Sequence, residues 1–108
     1  MHICREGPFV YESRIKNSQT DLLVKAILSL ENEEECYRLM EDLLTMREIK
    51  DLSQRLEVAV LLRDKATYND IVEKTGVSTA TIGRVNRALS YGTGGYAQVL
   101  DKILKEEE

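Results

Sequence analysis

One short segment of this chain combines arginines, hydroxyls and small side chains at helical spacing. The stretch TGVSTATIGRVNRAL, residues 75–89, contains two arginines and no acid, although the chain carries a formal net charge of −4. From Thr75 to Leu100 the only charged residues are Arg84 and Arg87. A ligand responds to the field within about 8 to 10 Å at physiological salt, so the segment presents a locally positive surface. Such a surface suits the phosphates and guanine edges of double-stranded DNA.

A glycine separates two short helices in this region, which is the pattern of a helix-turn-helix. Thr67 and Asp70 form a capping box, which predicts a helix that starts at Tyr68 and ends near Thr75. Gly76 supplies the left-handed backbone conformation that closes a helix. Apolar residues on both sides of the glycine are expected to pack the two helices together: Ile71, Val72, Val77, Ile82 and Val85.

The second helix of this pair is predicted to run from about Thr79 to Ser90, with Ser78 as its N-cap. Small residues near its start allow a helix to enter the major groove, and arginines further on reach bases or phosphates. Hydroxyls and the free amides of the first turn can donate hydrogen bonds to phosphate oxygens. The predicted DNA-binding residues are therefore Ser78, Thr79, Ala80, Thr81, Gly83, Arg84 and Arg87.

Apolar residues at three- and four-residue steps along the rest of the chain predict an all-α fold of about six helices. A first helix is expected from the cap Thr20, and a second from the cap Asn32. A third is expected over about residues 46–63, after a capping box formed by Thr45 and Glu48, and a last one over residues 95–106. Alternating strand patterns are absent, so no sheet is predicted.

The domain organisation follows from the same periodicity. Residues 1–19 show none and are expected to form a flexible arm, and residues 20–108 are expected to form one helical domain. The third helix is apolar on more than one face at VAVLL, residues 58–62, which indicates a central helix buried by its own chain and by a second copy. A homodimer would also double a thin basic surface and place two recognition helices about 34 Å apart.

The sequence lacks the residues that other functional classes need. His2 is the only histidine and Cys4 and Cys36 are far apart, so no metal site or nucleophile pair is predicted. Cys36 is expected as a reduced thiol on the buried face of its helix. No phosphate-binding glycine loop or catalytic carboxylate motif occurs, so neither an enzyme nor a cofactor is expected. No apolar run approaches the roughly 20 residues that cross a membrane, so a cytoplasmic protein is expected.

Two other interpretations are compatible with these patterns. The segment at residues 75–89 could be a capped amphipathic helix of a bundle that binds no DNA. The chain could also be a protein-interaction adaptor that uses its acidic second helix, within ENEEECYRLMED, as the contact surface. Such an acidic run is usually a solvated helix face.

The stretch from Thr45 to Leu104 resembles the Trp-repressor family, and the chain as a whole is similar to the YerC/YecD-type branch of that family. The segments that carry the resemblance are LENEEECYRLMEDLLT, LSQRLEVAVLL, TYNDIVEKTGVSTATIGRVNRALSYG and the final helix. They cover about residues 20–106. The resemblance implies an intertwined, all-helical homodimer that binds operator DNA and regulates transcription, most simply as a repressor.

The resemblance also implies a candidate ligand pocket. In the Trp repressor the indole lies between two arginines that correspond to Arg55 and Arg84, and Thr81 matches as well. Val85 replaces a small glycine, however, and Ala88 replaces a serine that helps to hold the ammonium group. Added bulk and an unpaired polar group, which costs about 1–3 kcal/mol, argue against tryptophan. No other corepressor is indicated, and Arg55 is equally expected to pair with an acid of a neighbouring helix.

Overall fold

The computed structural model describes residues 11–105, and within that range the chain contains helices and no strand. The helices are α1 (Ser18–Leu28), α2 (Glu33–Leu43), α3 (Met46–Arg63), α4 (Tyr68–Thr75), α5 (Thr79–Tyr91) and α6 (Gly95–Lys105). The predicted all-α fold of six helices is confirmed. Residues 1–10 of the predicted arm, with His2 and Cys4, lie outside the described residues, as does the predicted helix end at residue 106.

The chain divides into two compact units, of which the first ends at Leu43 and the second begins at Leu44. The first unit contains α1 and α2, and the second contains α3 to α6. No helix among the described residues is long and apolar enough to cross a membrane. Residues 11–105 also contain no group of three or more histidines, cysteines or acids that could hold a metal ion.

Helix α1 begins at Ser18, two residues before the predicted start at Thr20. The Asn17 side chain accepts a hydrogen bond from the Thr20 amide at 2.9 Å, and the Thr20 hydroxyl accepts one from the Asn17 amide at 2.8 Å. In this capping box asparagine is the cap and threonine is the third helical residue. The prediction of Thr20 as the cap was wrong because both residue types cap helices, and the backbone conformation decides between them.

Helix α2 follows the predicted cap Asn32, whose side chain accepts a hydrogen bond from the Glu35 amide at 2.9 Å. No residue of α1 or α2 is buried, and Cys36 is a free thiol that is half-buried. Large apolar side chains of α1 lie in the open, and Leu22 and Ile27 are 68% and 51% exposed. Within residues 11–43 the first unit therefore has apolar helix faces but no buried core.

Helix α3 is the centre of the second unit, where it packs against α4, α5 and α6. Its predicted capping box is present, because Thr45 and Glu48 exchange hydrogen bonds at 3.0 and 2.9 Å. The core of this unit is formed by Val58, Ala59, Ile71, Val77, Ile82, Val85 and Leu100. Since each buried valine, leucine or isoleucine side chain contributes about 1.5–3 kcal/mol, these residues are the main source of stability in this unit.

The end of α3 is closed by a lysine in an unusual conformation. Lys65 has a φ of 68°, in the left-handed region that favours glycine. Its amide donates a hydrogen bond to the Leu62 carbonyl, and the Ala66 amide donates one to the Leu61 carbonyl, both at 3.0 Å. These two bonds form a Schellman motif, which satisfies carbonyls that would otherwise lack partners.

Helix α5 extends to Tyr91, one residue beyond its predicted end. Gly92 follows, and a Cβ at this position would collide with the carbonyl oxygen of Ala88. Helix α6 then returns to α3, where Arg63 Nη1 lies 2.9 Å from Asp101 Oδ1. The segment YGTGG, residues 91–95, is thus a tight connection that brings α6 back onto the core.

Candidate nucleic-acid interface

The turn between α4 and α5 has the predicted helix-turn-helix geometry. Gly76 has a φ of 77°, and its amide donates a hydrogen bond to the Val72 carbonyl at 2.8 Å. The Thr75 hydroxyl donates to the Ile71 carbonyl at 2.7 Å and accepts from the Val77 amide at 3.2 Å. Of the five apolar residues predicted to join the helices, four are buried and Val72 is half-buried against them. The core therefore fixes α5 relative to α4.

The start of α5 is capped as predicted by Ser78. The Ser78 hydroxyl accepts a hydrogen bond from the Thr81 amide at 3.2 Å and lies 3.2 Å from the Thr81 hydroxyl. Capping by a serine satisfies one of the free amides of the first turn. The other amides of that turn and the exposed Thr79 hydroxyl are available to an anionic ligand.

The structure brings the predicted DNA-binding residues onto one end and one side of α5. Ala80 and Thr79 are exposed, and Thr81 and Gly83 are half-buried. The two predicted cations, Arg84 and Arg87, are exposed, and the opposite side of the helix buries Ile82 and Val85 in the core. This division follows from helical periodicity, which places residues three and four apart on the same side.

Neither arginine of α5 makes an ion pair or a side-chain hydrogen bond with another described residue. The ion pairs there involve Lys16, Arg38, Arg47 and Arg63, and no side-chain hydrogen bond includes Arg84 or Arg87. No acid occurs between Thr75 and Leu100 to neutralise them. The guanidinium groups are therefore free to bind an external phosphate or guanine.

One contact between α4 and α5 was missed by the sequence patterns. The Asn86 side-chain amide donates a hydrogen bond to the Tyr68 hydroxyl at 3.3 Å, across 18 residues of sequence. This bond joins the first residue of α4 to the middle of α5. No local pattern could have identified it, because the two residues meet only after the turn has formed.

A cavity of about 340 Å³ lies between α3 and the start of α5. The three residues predicted as a candidate ligand pocket, Arg55, Thr81 and Arg84, all line it. The remaining lining residues are Arg47, Asp51, Gln54, Val77 and Ser78. The structure thus brings the predicted pocket residues together in a polar setting.

The α3 side of this cavity could have been found from spacing alone. Arg47, Asp51, Gln54 and Arg55 follow the i, i+4, i+7, i+8 pattern of one helix face. Arg47 Nε lies 3.6 Å from Asp51 Oδ1, so the one acid of the cavity already faces a cation. Within residues 11–105, Arg55 has no ion-pair partner, contrary to the alternative expectation of a pair with a neighbouring helix.

Comparison with known proteins identifies the family. The sequence profile described as Trp repressor protein matches residues 18–104, which is most of the chain. The chain belongs to the Trp repressor family. The predicted resemblance is therefore confirmed, and so is the all-α fold of this family, whereas the intertwined dimer stays a prediction.

Relatives of this Trp repressor family member include the YerC protein of Bacillus subtilis (strain 168). It is 48% identical over 94 residues, which are 87% of this chain and 90% of that protein. A solved TrpR-like protein from Eubacterium eligens is 51% identical, with a TM-score of 0.79 over 83% of this chain and 93% of that one. A solved candidate Trp repressor from Staphylococcus aureus is 46% identical, with a TM-score of 0.79 over 83% of this chain and 90% of that one.

Two positions that depart from the Trp repressor lie outside the polar cavity. Val85 is only 1% exposed and belongs to the core. Ala88 lines a separate apolar groove of about 530 Å³, together with Leu56, Gly92, Thr93, Gly95, Tyr96 and Val99. Neither residue therefore lines the cavity beside Arg55 and Arg84, so the added bulk of Val85 does not fill that cavity, contrary to the expectation from the resemblance.

Proposed function

We propose that this chain is a homodimeric, sequence-specific DNA-binding regulator of transcription, most simply a repressor. The exposed face of α5 carries the proposal, because Arg84 and Arg87 are the only charges between Thr75 and Leu100 and have no carboxylate partner among residues 11–105. Membership of a regulatory family supports the same role and argues against an enzymatic activity. Helix α5 would then lie in the major groove as the recognition helix.

The proposed DNA contacts fall into two groups. Ser78, Thr79 and Thr81, with the free amides of the first turn, would bind phosphate oxygens and set the position of the helix. Ala80 and Gly83 would allow close approach to the bases. Arg84 and Arg87 would reach guanine edges or further phosphates.

Exposed apolar surface supports the homodimer. Leu22 and Ile27 of α1 and Val99 and Ile103 of α6 are each about half exposed or more in the single chain. Monomeric soluble proteins rarely expose large contiguous apolar patches. A second copy would cover such faces with identical ones, as in two-fold symmetric dimers, and would place two recognition helices on one operator.

The experiment that tests the proposal is selection from a random-sequence DNA library at two salt concentrations. We expect enrichment of a palindromic site, with half-sites one helical turn apart and affinity that falls steeply as salt rises. The Arg84→Glu/Arg87→Glu variant should bind the selected site at least about a hundredfold more weakly, since reversed charges face the phosphates.

A matched control reverses two exposed lysines elsewhere. Lys25→Glu/Lys102→Glu changes the net charge by the same amount but leaves α5 intact, so it should retain most of the affinity. Equal losses in the two variants would contradict a specific role for α5. Absence of any enriched site, with or without added tryptophan and cell extract, would favour the adaptor that uses the acidic face of α2.

We further infer that tryptophan is not bound here as it is in the Trp repressor. Indole requires largely apolar walls, whereas the cavity beside Arg55, Thr81 and Arg84 is lined mainly by polar and charged side chains. Calorimetric titration of the protein with tryptophan should show no saturable heat at micromolar concentrations. Saturable micromolar binding would contradict this inference and would leave the DNA-binding proposal intact.

A further inference from the structure

No contact among residues 11–105 requires a glycine at position 83. It lies in the interior of α5, where glycine is less favourable than any residue except proline. A Cβ built on Gly83 would meet nothing within 4 Å. By contrast, Gly76 has a positive φ, and a Cβ on Gly92 would collide with the backbone of Ala88. The helix therefore gives up stability at Gly83 without a gain inside the described chain.

The position of Gly83 points to an external group. It lies three residues after Ala80 and four before Arg87, and directly precedes Arg84. Helical spacing puts these residues on the side of α5 that faces away from Ile82 and Val85. The two neighbouring arginines have no ion-pair partner among the described residues. Gly83 thus lies at the centre of the surface that we propose binds DNA.

The chemistry that Gly83 can offer is limited to apolar contact. It has no side chain, and an amide in a helix interior is already committed to the carbonyl four residues earlier. Only C–H groups are left to face the DNA at this position. In the major groove the largest apolar group of a base pair is the 5-methyl group of thymine, and most other groups there are hydrogen-bond donors or acceptors.

We propose that Gly83 determines specificity by letting the α5 backbone lie directly against a thymine methyl group, at a distance that excludes a Cβ. This rests on the proposed function and adds the identity of one base pair in each half-site. A larger residue at this position would hold the helix away from the base.

The proposal is tested by adding a methyl group at residue 83 of the protein and removing one from the DNA. In the selected operator, each thymine is replaced in turn by deoxyuridine, which removes only the methyl group. At one position in each half-site the wild-type protein should lose affinity by about fourfold, as expected for one buried methyl group. The Gly83→Ala variant should bind the thymine operator at least about tenfold more weakly and recover most of that loss on deoxyuridine at the same position.

Gly95→Ala provides the matched control. Gly95 is the first residue of α6, and the nearest atom to a Cβ there would be the Thr93 hydroxyl oxygen at 3.9 Å. Both alanine variants should raise the unfolding temperature, since alanine favours helix. Only Gly83→Ala should also weaken DNA binding, and a gain in stability with a loss of affinity is not expected for a residue of merely structural importance.

The outcomes separate this inference from the proposed function. The inference is overturned if Gly83→Ala binds the operator as tightly as the wild type, or if no deoxyuridine position restores its affinity. It is also overturned if the substitution weakens self-association and leaves DNA affinity unchanged, because Gly83 would then face the partner copy. A wild-type protein that selects no DNA at all overturns both the inference and the proposed function.

Discussion

The two units of this chain use similar amphipathic helices to different ends. Helices α3 to α6 bury Val58, Ile71, Ile82 and Leu100 completely in a shared core. Helices α1 and α2 bury no residue, although α1 carries as many large apolar side chains as a core helix. Ile27 of α1, for example, is 51% exposed.

This contrast shows that an apolar helix face does not by itself identify a core of the same chain. In the second unit much of the apolar surface is buried in the shared core, although Val99 and Ile103 of α6 stay about half exposed, and the charged side of α5 is left free for a ligand. In the first unit α1 and α2 bury no residue, and their apolar faces, together with the exposed apolar residues of α6, are the surfaces that we propose a second copy covers. The buried apolar residues thus support the fold, and the exposed apolar residues support the proposed assembly.

The largest effect is expected from the core of the second unit. Ile71→Ala removes a completely buried side chain and should lower the free energy of unfolding by about 2–5 kcal/mol. Urea denaturation followed by circular dichroism at a fixed protein concentration measures the change. Ile27→Ala removes the same atoms from the half-exposed face of α1 and should cost less at concentrations where the chain is dissociated. Equal losses of unfolding free energy in the two variants at those concentrations would contradict the contrast between the units.

The assembly face should be the next most sensitive. Ile27→Asp would bury a charge in the proposed dimer and should weaken self-association by about a hundredfold, which corresponds to about 2.7 kcal/mol. Sedimentation at a series of concentrations measures the dissociation constant. Ser18→Asp adds the same charge on the polar side of α1 and is the control. An unchanged dissociation constant for Ile27→Asp would show that this face is not the interface.

A smaller effect is expected at the contact that joins α4 to α5. Tyr68→Phe and Asn86→Ala each remove one exposed hydrogen bond and should cost about 0.5–1.5 kcal/mol. The double variant should lose little more than either single variant, because both changes remove the same bond. Fully additive losses of unfolding free energy in this cycle would show that the bond does not hold the two helices together in solution.

The smallest expected effect is a gain. Lys65→Gly relieves the left-handed backbone at the end of α3 and should raise the free energy of unfolding by about 0.5–1 kcal/mol after the entropy of glycine is counted. Lys65→Ala is the matched control and should give no such gain, since alanine has the same steric difficulty with a positive φ. Equal stabilisation by both substitutions would mean that the charge of lysine, rather than its conformation, is unfavourable.

Local signals in the sequence predicted most of the helical framework. The capping boxes at Thr45 and Thr67 and the helix stop at Gly76 are formed as expected, because each depends on residues within one turn. The start of α1 was misplaced, since Asn17 and Thr20 are both suitable caps and only their mutual hydrogen bonds assign the roles. The left-handed Lys65 gave no signal, because glycine is the usual residue there.

The sequence by itself determined the helices, the position of the turn and the side of α5 that carries its arginines, because capping and periodicity act within three or four residues. Only the tertiary structure decided that Asn86 reaches Tyr68, that the cavity shared by Arg55 and Arg84 is polar, and that Ala88 lies outside it. These relations join residues far apart in the chain, and they depend on how whole helices pack against one another.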